Sequence, residues 1–307
     1  MNEARYRDAE RRLWAWHGAD PIERRLQLAT SGRAVRVQEL GDGPPIIFLH
    51  GALTSGLSWA SLAARLTGFR CIVVDRPGTG LSEPLAERLD VHNVPRIVET
   101  FVVDLLDALG LESAHLAANS LGGYIALRTA AAHPDRIDRM IQYSWPVGVE
   151  TSNVPWLVRV LSLPGAGPLI ASLPPSERAL RLILRMIGGG ANLDAGRLDA
   201  DIPAYVALFR DTDTLRNELT QARAFVSPRR GLDRLVLPDT LLEMIRTPTY
   251  LLWGEDDGFG GARSARRMAA LMPNAQLELL PGVGHTPWFD DLDHCVEVTR
   301  RFLNAPR

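Results

Sequence analysis

The sequence predicts an α/β protein: a mostly parallel central sheet flanked by helices, with a helical cap inserted after the sixth strand. Three observations predict it. Short apolar runs alternate with helix-period stretches from about residue 45 to residue 145, and again from 248 to 303. The interval between them carries helical patterns and no strand pattern. The length, 307 residues, suits one large α/β domain with an insertion. The expected division is a core made of residues 1–145 and 248–307, and a helical cap at 146–247.

Taken in order, residues 4–16 read as an exposed, Arg-rich amphipathic helix. Two short strands are expected near 26–30 and 33–40, joined at Ser31-Gly32. The run PIIFLH at 45–50 is continuously apolar up to its last residue, which fits a strand buried on both faces of a parallel sheet. Helix 58–67, strand 70–75, helix 95–109, strand 114–118, helix 121–132 and strand 140–145 follow. In helix 95–109 the apolar positions Ile97, Phe101, Leu105 and Leu109 recur at four-residue spacing. Within the cap, helices are expected over 157–163, 178–187 and 201–224, punctuated by Gly188, Gly189 and Gly190. The core pattern ends with strand 248–253, helix 262–272, strand 275–280 and helix 291–303.

Composition excludes several functions. The formal net charge is −2, and no basic face exists to neutralise nucleic-acid phosphates. All 34 basic residues are Arg, so a Schiff-base lysine and a P-loop lysine are both ruled out. Two isolated cysteines, Cys71 and Cys295, make neither a disulfide framework nor a metal site. The charged start MNEARYRDAERRLW has no apolar signal region, and no apolar stretch approaches the roughly 20 residues of a membrane span. The expectation is a cytoplasmic protein that acts on a small molecule, with no cofactor, metal, nucleic-acid partner or membrane span. Its oligomeric state is left open.

Three loops carry residues suited to nucleophilic catalysis. Ala118-Asn119-Ser120-Leu121-Gly122-Gly123 follows a strand and opens a helix, the setting of a strained turn that lifts a hydroxyl above a sheet. Small residues are needed two before and two after the nucleophile, and Ala118 and Gly122 meet that need. A serine hydroxyl requires a base within hydrogen-bond reach. His285 lies in the glycine-rich loop Pro281-Gly282-Val283-Gly284 that follows the last strand, whereas His115 and His133 occupy ordinary strand and helix ends. The base requires a carboxylate to hold its tautomer. Glu255-Asp256-Asp257 follows a strand between Ser120 and His285, and Asp257 is preferred to Asp256.

Five motifs in order resemble the α/β-hydrolase fold, in its capped esterase and C–C-hydrolase branch. They are IIFLHGA at 46–52, DRPGTGLS at 75–82, ANSLGGYIAL at 118–127, LLWGEDD at 251–257 and GVGHTP at 282–287. The resemblance covers nearly the whole core; residues 146–247 match only as a helical cap. It implies a Ser120, Asp257, His285 triad and an oxyanion hole made by the backbone N–H groups of Ala52 and Leu121. Each such donor is worth roughly 3–4 kcal/mol in comparable enzymes. His50 is implied to support its loop and not to act as the base. Dehalogenases and epoxide hydrolases of this fold carry Asp at the elbow, so Ser120 favours acyl chemistry.

Three features depart from the pattern. Thr286 stands where C–C hydrolases have an aromatic residue, and the loop after Gly51 lacks their Gly-Pro pattern. Gly258, Gly260 and Gly261 around Phe259 suggest a looser acid loop. Candidate substrate-lining residues are Asn119, Trp145 and Trp288. The cap residues Leu161, Leu163, Leu169, Ile170, Leu173, Leu182, Ile183, Leu184 and Ile187 are expected mostly to pack the cap on the core, with some facing an apolar pocket. The reading is a serine hydrolase of a carboxylic ester, lactone or thioester. Alternatives are a C–C bond hydrolase, a non-hydrolytic acyltransferase, lyase or cofactor-free oxygenase, and a ligand receptor on the same shell.

Overall fold

The computed structural model describes residues 2–151, 160, 163, 165–173, 175–226 and 235–305. Among these, eight strands make one sheet: β1 (Ile22–Gln27), β2 (Ala34–Leu40), β3 (Pro45–Leu49), β4 (Arg70–Val74), β5 (Ala114–Ser120), β6 (Ile137–Pro146), β7 (Thr249–Gly254) and β8 (Ala275–Leu280). Their spatial order is β1-β2-β4-β3-β5-β6-β7-β8. The pairs β1/β2 and β2/β4 are antiparallel, and every pair from β4 to β8 is parallel. The chain steps from β3 outward to β4, then returns to build β5 to β8 on the other side. The direction of winding therefore reverses between β3 and β5, and the crevice at their carboxyl ends is where open α/β sheets bind ligands.

Alternate residues of each central strand enter opposite cores. Ile47, Leu49, Leu116, Ala118, Leu251 and Trp253 face helices α3 (Val94–Leu109), α4 (Leu121–Ala132) and Ala262–Leu271. Ile46, Phe48, Ala117, Tyr143 and Leu252 face α1 (Glu3–Trp16), α2 (Ala60–Arg65) and Leu292–Leu303. This two-sided burial is the physical reason the strands read as unbroken apolar runs.

Most expected elements form within one to three residues of their expected bounds, and the departures have causes. The first strand starts at Ile22 rather than near 26, because IERRLQ lies at the sheet edge and buries only Leu26, leaving no apolar run to mark it. Helix α1 is not exposed on all sides: Tyr6, Ala9, Leu13 and Trp14 are buried. Its Glu10 carboxylate is buried with the Arg36 guanidinium, which also pairs with Asp75.

Among the described residues the insertion after β6 carries helices and no strand: Ala166–Ser172, Glu177–Met186, Gly190–Asp194, Asp201–Asp211, Thr214–Phe225 and Asp239–Met244. The helix expected over 201–224 is broken at Thr212-Asp213, where the Thr212 hydroxyl caps back onto Leu208 O (2.6 Å) and accepts from Thr214 N (3.1 Å). The helix expected over 157–163 falls largely on residues outside those described, as does Leu161. Composition identified only part of the seat of this insertion: Leu184 is buried and Ile187 packs against the same core, as expected. Leu163, Leu169, Leu173 and Leu182 are exposed, and the packing onto the core runs through Leu180, Leu184, Leu193, Leu198, Ile202 and Leu208. Leu180 and Leu184 are four apart on one helix face, and Leu182 lies on the other. Residues Leu235, Leu237, Leu242 and Ile245 join the sheet's core cluster with Val147 and Val149, so both ends of the insertion are anchored there.

Candidate active site

Ser120 ends β5 and caps α4 with φ 54° and ψ −117°, a conformation that costs strain in any residue but glycine. Among the described residues only Leu53, Ser120 and Ser144 are non-glycine residues with positive φ; Leu53 follows β3, and Ser120 and Ser144 lie near the carboxyl ends of β5 and β6. The turn is tight enough that a Cβ on Gly122 would fall 2.0 Å from Leu49 O, which explains the small residue two after the serine. Leu121 N–H is the first amide of α4 and has no partner inside the helix. Gly51 lies across from the serine: a Cβ there would be 3.0 Å from Ser120 Cβ and 3.6 Å from its Oγ.

The expected acid and the expected base meet in the loops that follow β7 and β8. His285 Nδ1 is 2.7 Å from Asp257 Oδ2, and both residues are buried. Asp257 also accepts from the backbone N–H groups of Trp145 (3.0 Å) and Phe259 (2.9 Å). An Asp257 side chain that already accepts from two amides is placed to accept the ring proton as well, which puts that proton on Nδ1 and leaves Nε2 as an acceptor. Asp256 is exposed and makes no such contact. The glycine-rich acid loop is not loose. Trp253 Nε1 donates to Gly260 O (2.7 Å), a Cβ on Gly260 would sit 2.7 Å from the Trp145 ring, and Phe259 stacks on Trp145 at 5.2 Å.

Two polar side chains that sequence reasoning did not assign to bracing join these loops. Ser144 Oγ donates to Gly284 O and accepts from Gly254 N, both at 3.1 Å, so it bridges the acid strand and the histidine loop. Asn119, named as a lining candidate, gives its Nδ2 to Tyr143 O (2.7 Å) and His285 O (3.0 Å). It ties the serine turn to the histidine loop. The Asn next to the elbow Ser was the only sequence signal for this; Ser144 gave none.

The other lining candidates are packed. Trp145 is buried, stacks on Phe259 and lies 6.5 Å from the His285 ring. Trp288 is buried against Trp59 (4.1 Å, stacked), and its Nε1 donates to Ser58 O (2.8 Å). Phe259, which lies 4.8 Å from the His285 ring, was not singled out as a lining residue.

His50 is fully buried, with Nδ1 donating to Gly51 O (2.8 Å) and Nε2 accepting from Arg76 N (3.1 Å). Burial, assisted by the Arg76 charge, holds its pKa well below the usual histidine value, so it stays neutral and braces the loop. The insertion reaches this machinery directly. His285 N donates to Ile187 O (3.1 Å), and Asn192 Nδ2 donates to Asp290 Oδ1 (2.7 Å), whose other oxygen accepts from Gly284 N (3.3 Å).

No helix among the described residues is long and apolar enough to cross a membrane. The family model described as "Alpha/beta hydrolase family" matches residues 46–298. A 2-hydroxy-6-oxononadienedioate/2-hydroxy-6-oxononatrienedioate hydrolase of Comamonas testosteroni is 26% identical, over 88% of this chain and 91% of its own. Among solved structures, the 2-hydroxy-6-oxo-6-phenylhexa-2,4-dienoate hydrolase of Rhodococcus sp. strain RHA1 superimposes with a TM-score of 0.78 at 20% identity, covering 93% of this chain and 99% of that one. The carboxylesterase CesB of Bacillus subtilis superimposes with a TM-score of 0.73 at 21% identity, covering 99% of each chain.

Proposed function

The chain belongs to the alpha/beta hydrolase family, and from that premise we propose that it is a serine hydrolase that cleaves a carboxylic ester, lactone or thioester of an apolar small molecule. The observation that carries this reading is the strained Ser120 turn at the crevice that also holds the His285–Asp257 pair. Ser120 Oγ adds to the substrate carbonyl carbon while His285 Nε2 takes the hydroxyl proton. Asp257 stabilises the imidazolium by accepting from Nδ1–H. The carbonyl oxygen, now an oxyanion, accepts from the N–H groups of Leu121 and Ala52. The tetrahedral adduct collapses, the leaving group departs with the proton from His285, and an acyl-enzyme remains. Water gives a proton to His285 and attacks the acyl carbon; the second tetrahedral adduct collapses, Ser120 Oγ leaves and takes the proton back from His285, and the acid is released.

Residues 146–247 act in this scheme as the lid that shapes the acyl pocket, and Trp145 and Phe259 form an aromatic wall beside the base. A cytoplasmic setting is part of the same reading, supported by the buried thiols Cys71 and Cys295, neither of which is in a disulfide. The test is hydrolysis of p-nitrophenyl esters of graded chain length by the wild type and by Ser120→Ala. The variant is expected to keep its fold and lose turnover; a wild-type rate in the folded variant contradicts the reading.

The relative from Comamonas supports a second reading, hydrolysis of a carbon–carbon bond in a vinylogous diketone, with the same residues. Thr286 after His285 weighs against it. A ring-fission product whose colour fades faster than any ester is cleaved would favour this second reading.

A further inference from the structure

The insertion touches the crevice at a second point, which involves none of the three residues assigned to the reaction. Arg76 follows β4 and is buried. Its Nε donates to His50 O (3.1 Å) and its Nη2 to Gly51 O (2.8 Å). These are successive carbonyls of the loop that carries the Ala52 amide. In a trans peptide the C=O and the N–H point in opposite directions. Holding Gly51 O against Arg76 therefore fixes the direction of Ala52 N–H.

Glu218, from the inserted helix Thr214–Phe225, secures both sides of this arrangement. Its two carboxylate oxygens each lie 3.3 Å from Arg76 Nη2, and Oε2 also accepts from Leu53 N at 2.8 Å. The side chains are only 6% and 8% exposed for Arg76 and Glu218, so the pair is shielded from water and salt. Leu53, the residue after Ala52, is held at φ 55°. A β-carbon-bearing residue keeps that conformation only where its surroundings hold it there. The peptide groups on both sides of Ala52 are thus pinned, one by Arg76 together with the His50 ring and one by Glu218. The same helix face adds two contacts away from this loop. Gly80 N donates to Thr214 Oγ1 (2.9 Å), and Asn217 Nδ2 donates to Gly78 O (2.8 Å). Positions 214, 217 and 218 are three and four apart and form one docking edge.

We infer that Arg76 and Glu218 are positioning residues of the oxyanion hole, so that the inserted helix aims the Ala52 amide at the reacting carbonyl oxygen. This rests on the serine-hydrolase reading above. The inserted helix then contributes to the chemical step, beyond shaping the pocket, and its loss shows in kcat rather than in KM.

The experiment compares full-length variants on one p-nitrophenyl ester, with thermal melts alongside. Glu218→Ala is expected to lower kcat about 10- to 100-fold with KM within about threefold, because the Ala52 donor is misaimed but not removed. Glu218→Gln keeps an acceptor for Leu53 N and is expected to recover to within about fivefold of wild type. Asn217→Ala removes a docking contact but leaves the pinned peptides intact, and is expected to stay within about twofold. A folded Glu218→Ala with wild-type kcat overturns the inference. So does an Asn217→Ala as slow as Glu218→Ala, which would make docking alone the cause. Should Glu218→Ala not fold, Arg76→Lys decides. Its ammonium keeps the charge pair but lacks the planar fork that holds both carbonyls, and it is expected to lose about 10- to 100-fold in kcat; an unchanged kcat overturns the inference. Ser120→Ala runs in parallel: activity surviving there sinks the serine reading itself, while a dead Ser120→Ala beside a fully active Glu218→Ala sinks only this inference.

Discussion

Asp257 Oδ2 stands 2.7 Å from His285 Nδ1 while the neighbouring Asp256 points to solvent. Two adjacent acids in one loop therefore carry different expectations. Asp257→Asn presents an amide where the ring proton is accepted and favours the wrong tautomer. It is expected to lower kcat by about 10⁴-fold with the fold intact. Asp256→Asn is expected to stay within about twofold, as an exposed substitution should. Steady-state kinetics on one ester separate them, and a reversed order would reassign the acid.

Asn119 offers a test of how the loops are braced. Its Nδ2 serves two buried carbonyls, Tyr143 O and His285 O. Asn119→Ala leaves both without that donor and is expected to cost about 1–3 kcal/mol in urea denaturation. The histidine loop also loses its tie to the serine turn, so kcat is expected to fall about 10- to 100-fold. A variant as stable and as active as wild type would show that the bracket is dispensable.

Asp201 gives stability a pH dependence of definite sign. It is 4% exposed, and desolvation pushes its carboxyl up to about 7. A raised folded-state pKa means that the native state holds the proton more tightly than the unfolded chain. Between the unfolded value near 3.9 and about 7, stability from this group falls as pH rises, and above that window the full penalty applies. Asp201→Asn removes the charge, so it is expected to stabilise the fold at pH 8 by a few kcal/mol and to change little near pH 4. Melting temperatures at the two pH values check this; a gain at pH 4 and none at pH 8 would contradict the sign.

Much of the fold was legible because burial on both faces writes itself as apolar runs, as in PIIFL of β3 and TYLLWG of β7. The first strand was misplaced because an edge strand such as IERRLQ carries no such run. The seating of the insertion was read only in part, because leucine composition does not say which helix face is covered: Leu184, which was expected to pack, is buried, but so is the unnamed Leu180, while the named Leu182 is exposed. In the site, the residue types with dedicated chemistry were visible in their loops. The braces were not, since Ser144, Arg76 and Glu218 act through contacts between residues far apart in the chain. Arg76 lay within the quoted DRPGTGLS motif with no role attached. Glu218 lay in the helix expected over 201–224, where nothing in the sequence set it apart from Asp201, Asp211 and Asp213.

The central claim is that Ser120 is the nucleophile. Labelling the purified chain with a fluorophosphonate probe, followed by peptide mapping, tests it most directly. The account predicts one modified site, Ser120, with labelling abolished in Ser120→Ala; modification of another residue, or undiminished labelling of Ser120→Ala, would contradict it.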